Sequence, residues 1–307
     1  METTGCGTAL ITPFRQDGAL DERALHALVN WQIDSGIDFL IACGSTGEAA
    51  TLEEDEWLAA VRIVAEATAG RVPVWAGCTY NSTQTLIRKA EKLVQVRGVD
   101  AVLSASPYYN KPSQEGQYRH FMALARTVDP LPVVLYNVPG RTAAHLDPET
   151  VGRLAHEAPN VAAVKEASGK LTQIGAILHA APDGFKVFSG DDNLALAGIG
   201  SGAHGLASVA SNEIPGDMGR MIRAALRNDW VRAREIERKY ARLFEANFWE
   251  SNPAPVKTVL NMMGRCEATV RLPLVEPDRG MRHKLERVAG ELGLLRDVVP
   301  DGDMRMF

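Results

Sequence analysis

Short apolar runs rich in Val, Ile and Ala alternate with longer stretches of helical period along most of the chain. The runs predict eight strands, at Thr8–Thr12, Asp38–Cys43, Val72–Cys78, Ala101–Ser104, Pro132–Asn137, Val161–Lys165, Lys186–Ser189 and Ala203–Ser208. Between them, Asp21–Ser35, Glu53–Ala69, Thr83–Arg97 and Gln114–Val128 carry apolar positions at helical spacing. In the first of these Leu25, Leu28, Val29 and Gln32 step around one face, and Asp21 is placed as an N-cap. Asp147 before Pro148 reads as an N-cap followed by a first helical turn. Parallel neighbours need crossover connections, so strands that each lead into a helix call for a parallel sheet. The pattern predicts an α/β fold of the (β/α)₈ TIM-barrel type, with a doubly wound open sheet as the rival.

From about Asp229 the character changes. Trp230–Phe248, Pro253–Met263 and Met281–Leu292 read as helices with no strand-like run between them. Residues 1–228 are therefore expected to form the barrel and 229–307 a C-terminal helical extension.

Composition changes this picture little. Of 307 residues 46% are hydrophobic and 23% charged, an ordinary globular balance. A formal net charge of −5, without a basic run interleaved with aromatics, gives no reason to expect nucleic acid or a membrane surface as partner. The N-terminus has no positive region ahead of an apolar core, and no apolar stretch is long enough to span a bilayer. Cys6, Cys43, Cys78 and Cys266 lack CxxC spacing and read as reduced thiols of a cytoplasmic protein.

The chemically distinctive residues cluster where the strands end, which is where barrel active sites lie. The second strand runs into Gly44-Ser45-Thr46-Gly47-Glu48, and the fourth into Ser106-Pro107-Tyr108-Tyr109-Asn110. The fifth leads into Tyr136-Asn137-Val138-Pro139-Gly140-Arg141, the sixth into Lys165-Glu166-Ala167-Ser168-Gly169, and the seventh into Ser189-Gly190-Asp191-Asp192. Lys165 follows Val161-Ala162-Ala163-Val164, a strand buried on both faces. An amine there loses hydration, which favours its neutral, nucleophilic form; the plain alternative is an ammonium that snorkels to the rim. The Ser45-Thr46 loop can hold a carboxylate through hydroxyls and backbone N–H groups, or simply start a helix. It lacks the Gly-Lys-Ser/Thr ending of a nucleotide-binding loop. Tyr136 and the Tyr108-Tyr109 pair can supply phenolic protons, and Arg141 can clamp a carboxylate; taken singly, each is also an ordinary strand or loop residue. Asp191-Asp192 reads as a helix cap rather than a metal site, and His204 as a satisfied barrel histidine.

At these clusters the chain resembles the dihydrodipicolinate synthase/N-acetylneuraminate lyase family of pyruvate-dependent class I aldolases. Thr8-Ala9-Leu10-Ile11-Thr12-Pro13 and Asn252-Pro253-Ala254-Pro255-Val256-Lys257 extend the likeness to both ends, and the motifs stand in the family's order. The resemblance implies a homotetramer of barrels arranged as a dimer of dimers, and Schiff-base chemistry with neither cofactor nor metal. It implies that Lys165 forms the imine, that Tyr136 relays protons, and that Ser45 and Tyr109 are its relay partners, Tyr109 lent across a subunit interface. Ser45 and Thr46 match the residues that hold the pyruvate carboxylate, and Gly190 and Ala207 fall at substrate-binding positions.

Arg141 in its Tyr-Asn-Val-Pro-x-Arg context is similar to the synthase branch, where it receives the carboxylate of L-aspartate-4-semialdehyde. The reaction implied is condensation of that aldehyde with pyruvate to 4-hydroxy-tetrahydrodipicolinate, toward lysine and diaminopimelate. Some positions depart from the synthase pattern: Ser45 stands for threonine, Ala207 for isoleucine, and Cys78-Thr79-Tyr80-Asn81 for a smaller run. The departures at Ala207 and Tyr80 keep a second reading open, an aldolase acting on a sugar-acid or aromatic aldehyde. A non-catalytic keto-acid sensor is the third, disfavoured because a binder needs no proton relay. Asn81 and Tyr108 match the lysine-inhibition pocket of regulated members, whereas Ala49, Glu54, Trp57 and Thr85 do not, so inhibition by lysine is expected to be weak or absent.

Overall fold

A computed structural model describes residues 2–295 of the protein. Eight parallel strands close into a barrel in sequence order: β1 (Gly5–Ala9), β2 (Phe39–Ala42), β3 (Val74–Gly77), β4 (Ala101–Ala105), β5 (Val133–Asn137), β6 (Val161–Glu166), β7 (Lys186–Ser189) and β8 (Gly205–Ser208). The ring is sealed by β1 pairing with β8, with Gly5 opposite Gly205 and Thr8 opposite Ser208. The open-sheet alternative is thereby excluded.

The helices follow in chain order as α1 (Glu22–Asp34), α2 (Glu54–Thr68), α3 (Thr83–Leu93), α4 (Gln114–Val128), the short turn α5 (Pro139–Thr142), α6 (Pro148–Glu157), α7 (Leu171–Ala180), α8 (Ala195–Gly200) and α9 (Pro215–Leu226). Asp21 caps α1 by accepting from the Ala24 N–H. The buried face of α1 is Leu25, Leu28, Val29 and Gln32, as the periodicity predicts. Gln32 is tolerated there because Thr8 donates to its Oε1 at 2.5 Å and its amide donates to the Ser211 carbonyl at 3.0 Å.

Strand alternation divides the core in two. On β5, Val134 and Tyr136 turn into the barrel while Val133 and Leu135 pack outward against the helices. Inside, Phe39 stacks on Trp75 at 4.2 Å between centroids, and Phe188 meets both edge-on. This aromatic trio fills the barrel interior as a packed core rather than a pore.

Two boundaries differ most from expectation. The first strand is Gly5–Ala9, not Thr8–Thr12. Its glycines argue against a strand in sequence, yet the place of a Gly7 Cβ is taken by the Phe39 ring and that of a Gly205 Cβ by the Gly5 carbonyl. Helix α3 stops at Leu93 rather than Arg97, and Gln95 and Val96 continue it only as tighter i→i−3 turns.

The C-terminal part holds α10 (Trp230–Ala246), α11 (Ala254–Met262) and α12 (Arg279–Glu291), with residues 296–307 of the expected extension lying outside the described residues. Helix α10 packs on α9 and α12, and α11 lies beside the turn that follows β8. Val256 and Leu260 of α11 join Ile11, Leu28 and Val209 in a small apolar cluster that fastens this segment to the barrel rim.

Candidate active site

Tyr136 and Lys165 lie directly opposite each other in the β5–β6 register, both on the inward face. Lys165 is 5% exposed and Tyr136 7%, and the lysine Nζ sits 4.6 Å from the centre of the tyrosine ring. Among the described residues no carboxylate pairs with Lys165. Gly190 at the end of β7 makes this possible: a Cβ there would come within 3.0 Å of Lys165 Cε and 2.7 Å of Ala167 Cβ. A glycine is thus needed for the lysine stem to pass.

Glu166, the next residue, points to the other side of the sheet. It accepts from Asn137 Nδ2 at 2.8 Å and from the Ser168 N–H at 2.6 Å, and burial pushes its carboxyl above the usual range. The carboxyl does not reach the lysine's cavity. Cys43 and Cys78 are no rival nucleophiles either, since burial raises both thiols to about 12.

A cavity of about 130 Å³ opens above Lys165, lined among others by Ser45, Thr46, Tyr136, Arg141, Gly190 and Asn252. It adjoins a larger one of about 400 Å³ that shares Ser45, Tyr136, Arg141 and Asn252 and reaches Tyr108 and Tyr80. Arg141 is carried by α5, whose Pro139 starts the turn, and it has no carboxylate partner among the described residues. Its guanidinium leans toward the Asn252 carbonyl at 3.5 Å. Thr46 accepts a hydrogen bond from Asn252 Nδ2 at 2.9 Å, which leaves its hydroxyl proton available to a substrate carboxylate.

The structure therefore brings Lys165, Tyr136, Ser45, Thr46, Arg141 and Gly190 around one space. It does not bring Tyr109 there. That side chain is 85% exposed on a loop where its own φ is 74° and that of Lys111 is 44°. Ala207 also lies off the cavity, fully buried in the barrel interior with Phe188 and Ala163.

Asp191 caps the turn after β7 as expected, accepting from the Asn193 N–H at 2.9 Å. Asp192 does something else. It is buried and pins the end of β8, accepting from Ser208 Oγ at 2.6 Å and from the N–H groups of Val209 and Ala210 at 3.0 Å. His204 accepts from the Val187 N–H at 3.2 Å through Nδ1. Asn252 is the site residue that reading from strand ends misses, because it arrives from the far C-terminal segment. Its signal in the sequence is the Asn-Pro-x-Pro-x-Lys motif itself. Behind the larger cavity Lys89 lies between two rings, 5.0 Å from Trp57 and 4.5 Å from Tyr80.

Among the described residues no group of three or more His, Cys, Asp or Glu side chains could hold a metal ion, and no helix is long and apolar enough to cross a membrane.

Comparison with known proteins adds to this geometry. The profile of the dihydrodipicolinate synthetase family matches residues 2–292. A 4-hydroxy-tetrahydrodipicolinate synthase of Acidobacterium capsulatum is 59% identical over 295 residues, covering 96% of this chain and 97% of the relative. One of Koribacter versatilis is 54% identical over 297 residues, 97% of this chain and 98% of the relative. The crystal structure of dihydrodipicolinate synthase from Aquifex aeolicus superposes with a TM-score of 0.93 at 39% identity, over 96% of this chain and 99% of that one. By the span of the family match, the identity of these relatives and the closed barrel, the chain belongs to the dihydrodipicolinate synthetase family.

Proposed function

We propose that this chain condenses pyruvate with L-aspartate-4-semialdehyde to give 4-hydroxy-tetrahydrodipicolinate through an imine on Lys165, toward lysine and diaminopimelate. The observation that carries it is a buried lysine facing Tyr136, with a hydroxyl loop and Arg141 around the same cavity and, among the described residues, no carboxylate partner for either the lysine or the arginine. Lys165 attacks the ketone carbon of pyruvate, the carbonyl oxygen leaves as water, and the imine draws a proton off the methyl group. The resulting enamine carbon bonds to the aldehyde carbon. The amino group of the second substrate then attacks the imine carbon, closes the ring and returns Lys165 as the amine. Tyr136 shuttles the protons, and Ser45 passes them toward the mouth. Thr46 and Ser45 hold the pyruvate carboxylate, and Arg141 holds that of the aldehyde. The names of close relatives support this choice of aldehyde over a sugar-acid or aromatic one.

In this reading the catalytic barrel ends at residue 228, residues 229–295 are the helical extension, and the enzyme works in the cytoplasm. The exposed Tyr109 enters the relay of a second copy in a homotetramer built as a dimer of dimers. Gly190 faces the substrate, while Ala207 lies beneath the cavity and only leaves room in the barrel interior.

Borohydride trapping with pyruvate, read by intact mass, tests the imine; parallel unreduced reactions test semialdehyde consumption. A pyruvyl adduct on Lys165 together with turnover supports the proposal. An adduct without semialdehyde turnover moves the reading to another aldolase, and no adduct overturns it in favour of a sensor. Arg141→Ala should keep the adduct and lose turnover by about 10²-fold or more, the scale for stripping a charged partner from a carboxylate. Unchanged turnover would remove the residue-level support for the semialdehyde.

Millimolar lysine should leave the initial rate essentially unchanged. Glu54 is already paired with Lys92, Trp57 is buried and donates to the Gly77 carbonyl at 2.9 Å, and the Lys89 ammonium already faces Tyr80. A second ammonium there would meet a like charge. A sharp fall in rate on adding lysine would show this to be mistaken.

A further inference from the structure

We infer that Lys257 is a positioning residue for pyruvate binding, acting through its buried ion pair with Glu48 on the Ser45-Thr46 loop. This deepens the proposed function and rests on it. Glu48 Oε1 and Lys257 Nζ are 2.5 Å apart, and both side chains are withdrawn from solvent. Glu48 Oε2 accepts from the Arg271 N–H at 3.0 Å, and Lys257 donates to the Thr269 carbonyl at 2.9 Å. The Phe14 ring lies 4.1 Å from Lys257 Nζ and 4.2 Å from the Arg271 guanidinium carbon. A barrel loop and the C-terminal segment are thus joined by a pair of charges withdrawn from solvent.

Glu48 also closes the turn that presents Ser45 and Thr46. Its backbone is left-handed, φ 52°, an unfavourable state for a residue with a side chain, and its N–H donates to the Ser45 carbonyl at 3.1 Å. The preceding Gly47 is wedged with a Cβ position only 3.1 Å from Leu10 O, and its carbonyl accepts from Thr12 at 2.7 Å. A loop held so tightly on one side takes its position from the Glu48 side chain on the other. Asn252 on Thr46 and Lys257 on Glu48 therefore grip the same loop from one motif.

Removing the ammonium has two effects on pyruvate. Left with only the Arg271 N–H, a carboxylate withdrawn from solvent is costly, so Glu48 must shift toward water or take a proton, and the turn moves with it. If it stays charged, it stands two residues from Thr46 and repels the incoming carboxylate. Both weaken the first substrate and leave the Arg141 side of the cavity alone. A role in holding the fold together would instead lower the active fraction for both substrates alike.

The test uses the full-length enzyme, with pyruvate and semialdehyde KM, kcat and borohydride trapping measured on wild type, Lys257→Met, Glu48→Gln and the double variant. Lys257→Met is expected to raise the pyruvate KM by about tenfold or more, with a smaller change in kcat and in the semialdehyde KM. Adding Glu48→Gln should recover part of the loss by removing the lone charge. A wild-type pyruvate KM in folded Lys257→Met, or a double variant weaker than the single, overturns the inference. If Lys257→Met does not fold, Glu48→Gln decides: a rise confined to the pyruvate KM supports the role, and an unchanged value rejects it. Absence of trapping in the wild type would instead count against the Schiff-base reading itself.

Discussion

Lys165→Ala should leave a folded barrel that takes up no pyruvyl mass on borohydride reduction and has lost kcat by a factor on the order of 10⁴ or more, the scale seen when a covalent nucleophile is removed. The size follows from the route. Without the imine there is no electron sink at the ketone carbon, and the methyl protons of bound pyruvate stay unactivated. The loss should fall on kcat, because Thr46, Ser45 and Arg141 remain to bind both carboxylates. Folding should survive: among the described residues the lysine makes no ion pair, and its stem beside Gly190 and its Nζ over the Tyr136 ring are contacts an alanine gives up without leaving a buried charge unpaired. Unchanged heat-induced unfolding alongside lost trapping is the expected pair of readings. An adduct that persisted in the variant would place the imine on another amine.

Tyr136→Phe keeps the ring that lies 4.6 Å from Lys165 Nζ and removes only the hydroxyl. Carbinolamine formation, its dehydration and the later ring closure each move a proton beside the amine, so the phenol is used more than once. Loss of a positioned acid–base group costs about 10²–10⁴-fold, and the fall should appear in imine formation as well as in turnover. Stopped-flow trapping at fixed pyruvate separates the two. Formation at the wild-type rate in the variant would show that the relay runs through water or Ser45 without the tyrosine.

The barrel was legible because alternation and helical period are written in side chains facing the core, as on β5 and α1. The first strand was displaced by three residues because its identity depends on missing side chains. Gly5, Gly7 and Gly205 fit where the Asp38 carboxylate, the Phe39 ring and the Gly5 carbonyl, respectively, come too close for a Cβ, and propensity counts such glycines against a strand. At the site, strand ends pointed to Lys165, Tyr136 and Arg141, since a residue's place along a strand survives folding. Asp192 shows the limit. Next to a true cap, it folds inward to hold β8, and only the three-dimensional path of Ser208–Ala210 explains why. Asn252 and Lys257 were visible as a motif, but their partners Thr46 and Glu48 lie more than two hundred residues earlier, and no local pattern pairs them.

The placing of Arg141 bears on how such an enzyme diverges. Lys165 and Tyr136 are fixed by strand register over a floor of Phe39, Trp75 and Phe188, so changes there end the pyruvate chemistry even where the fold survives. Arg141 sits on a four-residue turn just beyond β5, outside that lattice. Mutation can therefore sample new aldehydes at the turn while the pyruvate half-reaction persists. A duplicated copy would retain one working substrate throughout its drift toward another, with no inactive ancestor in between.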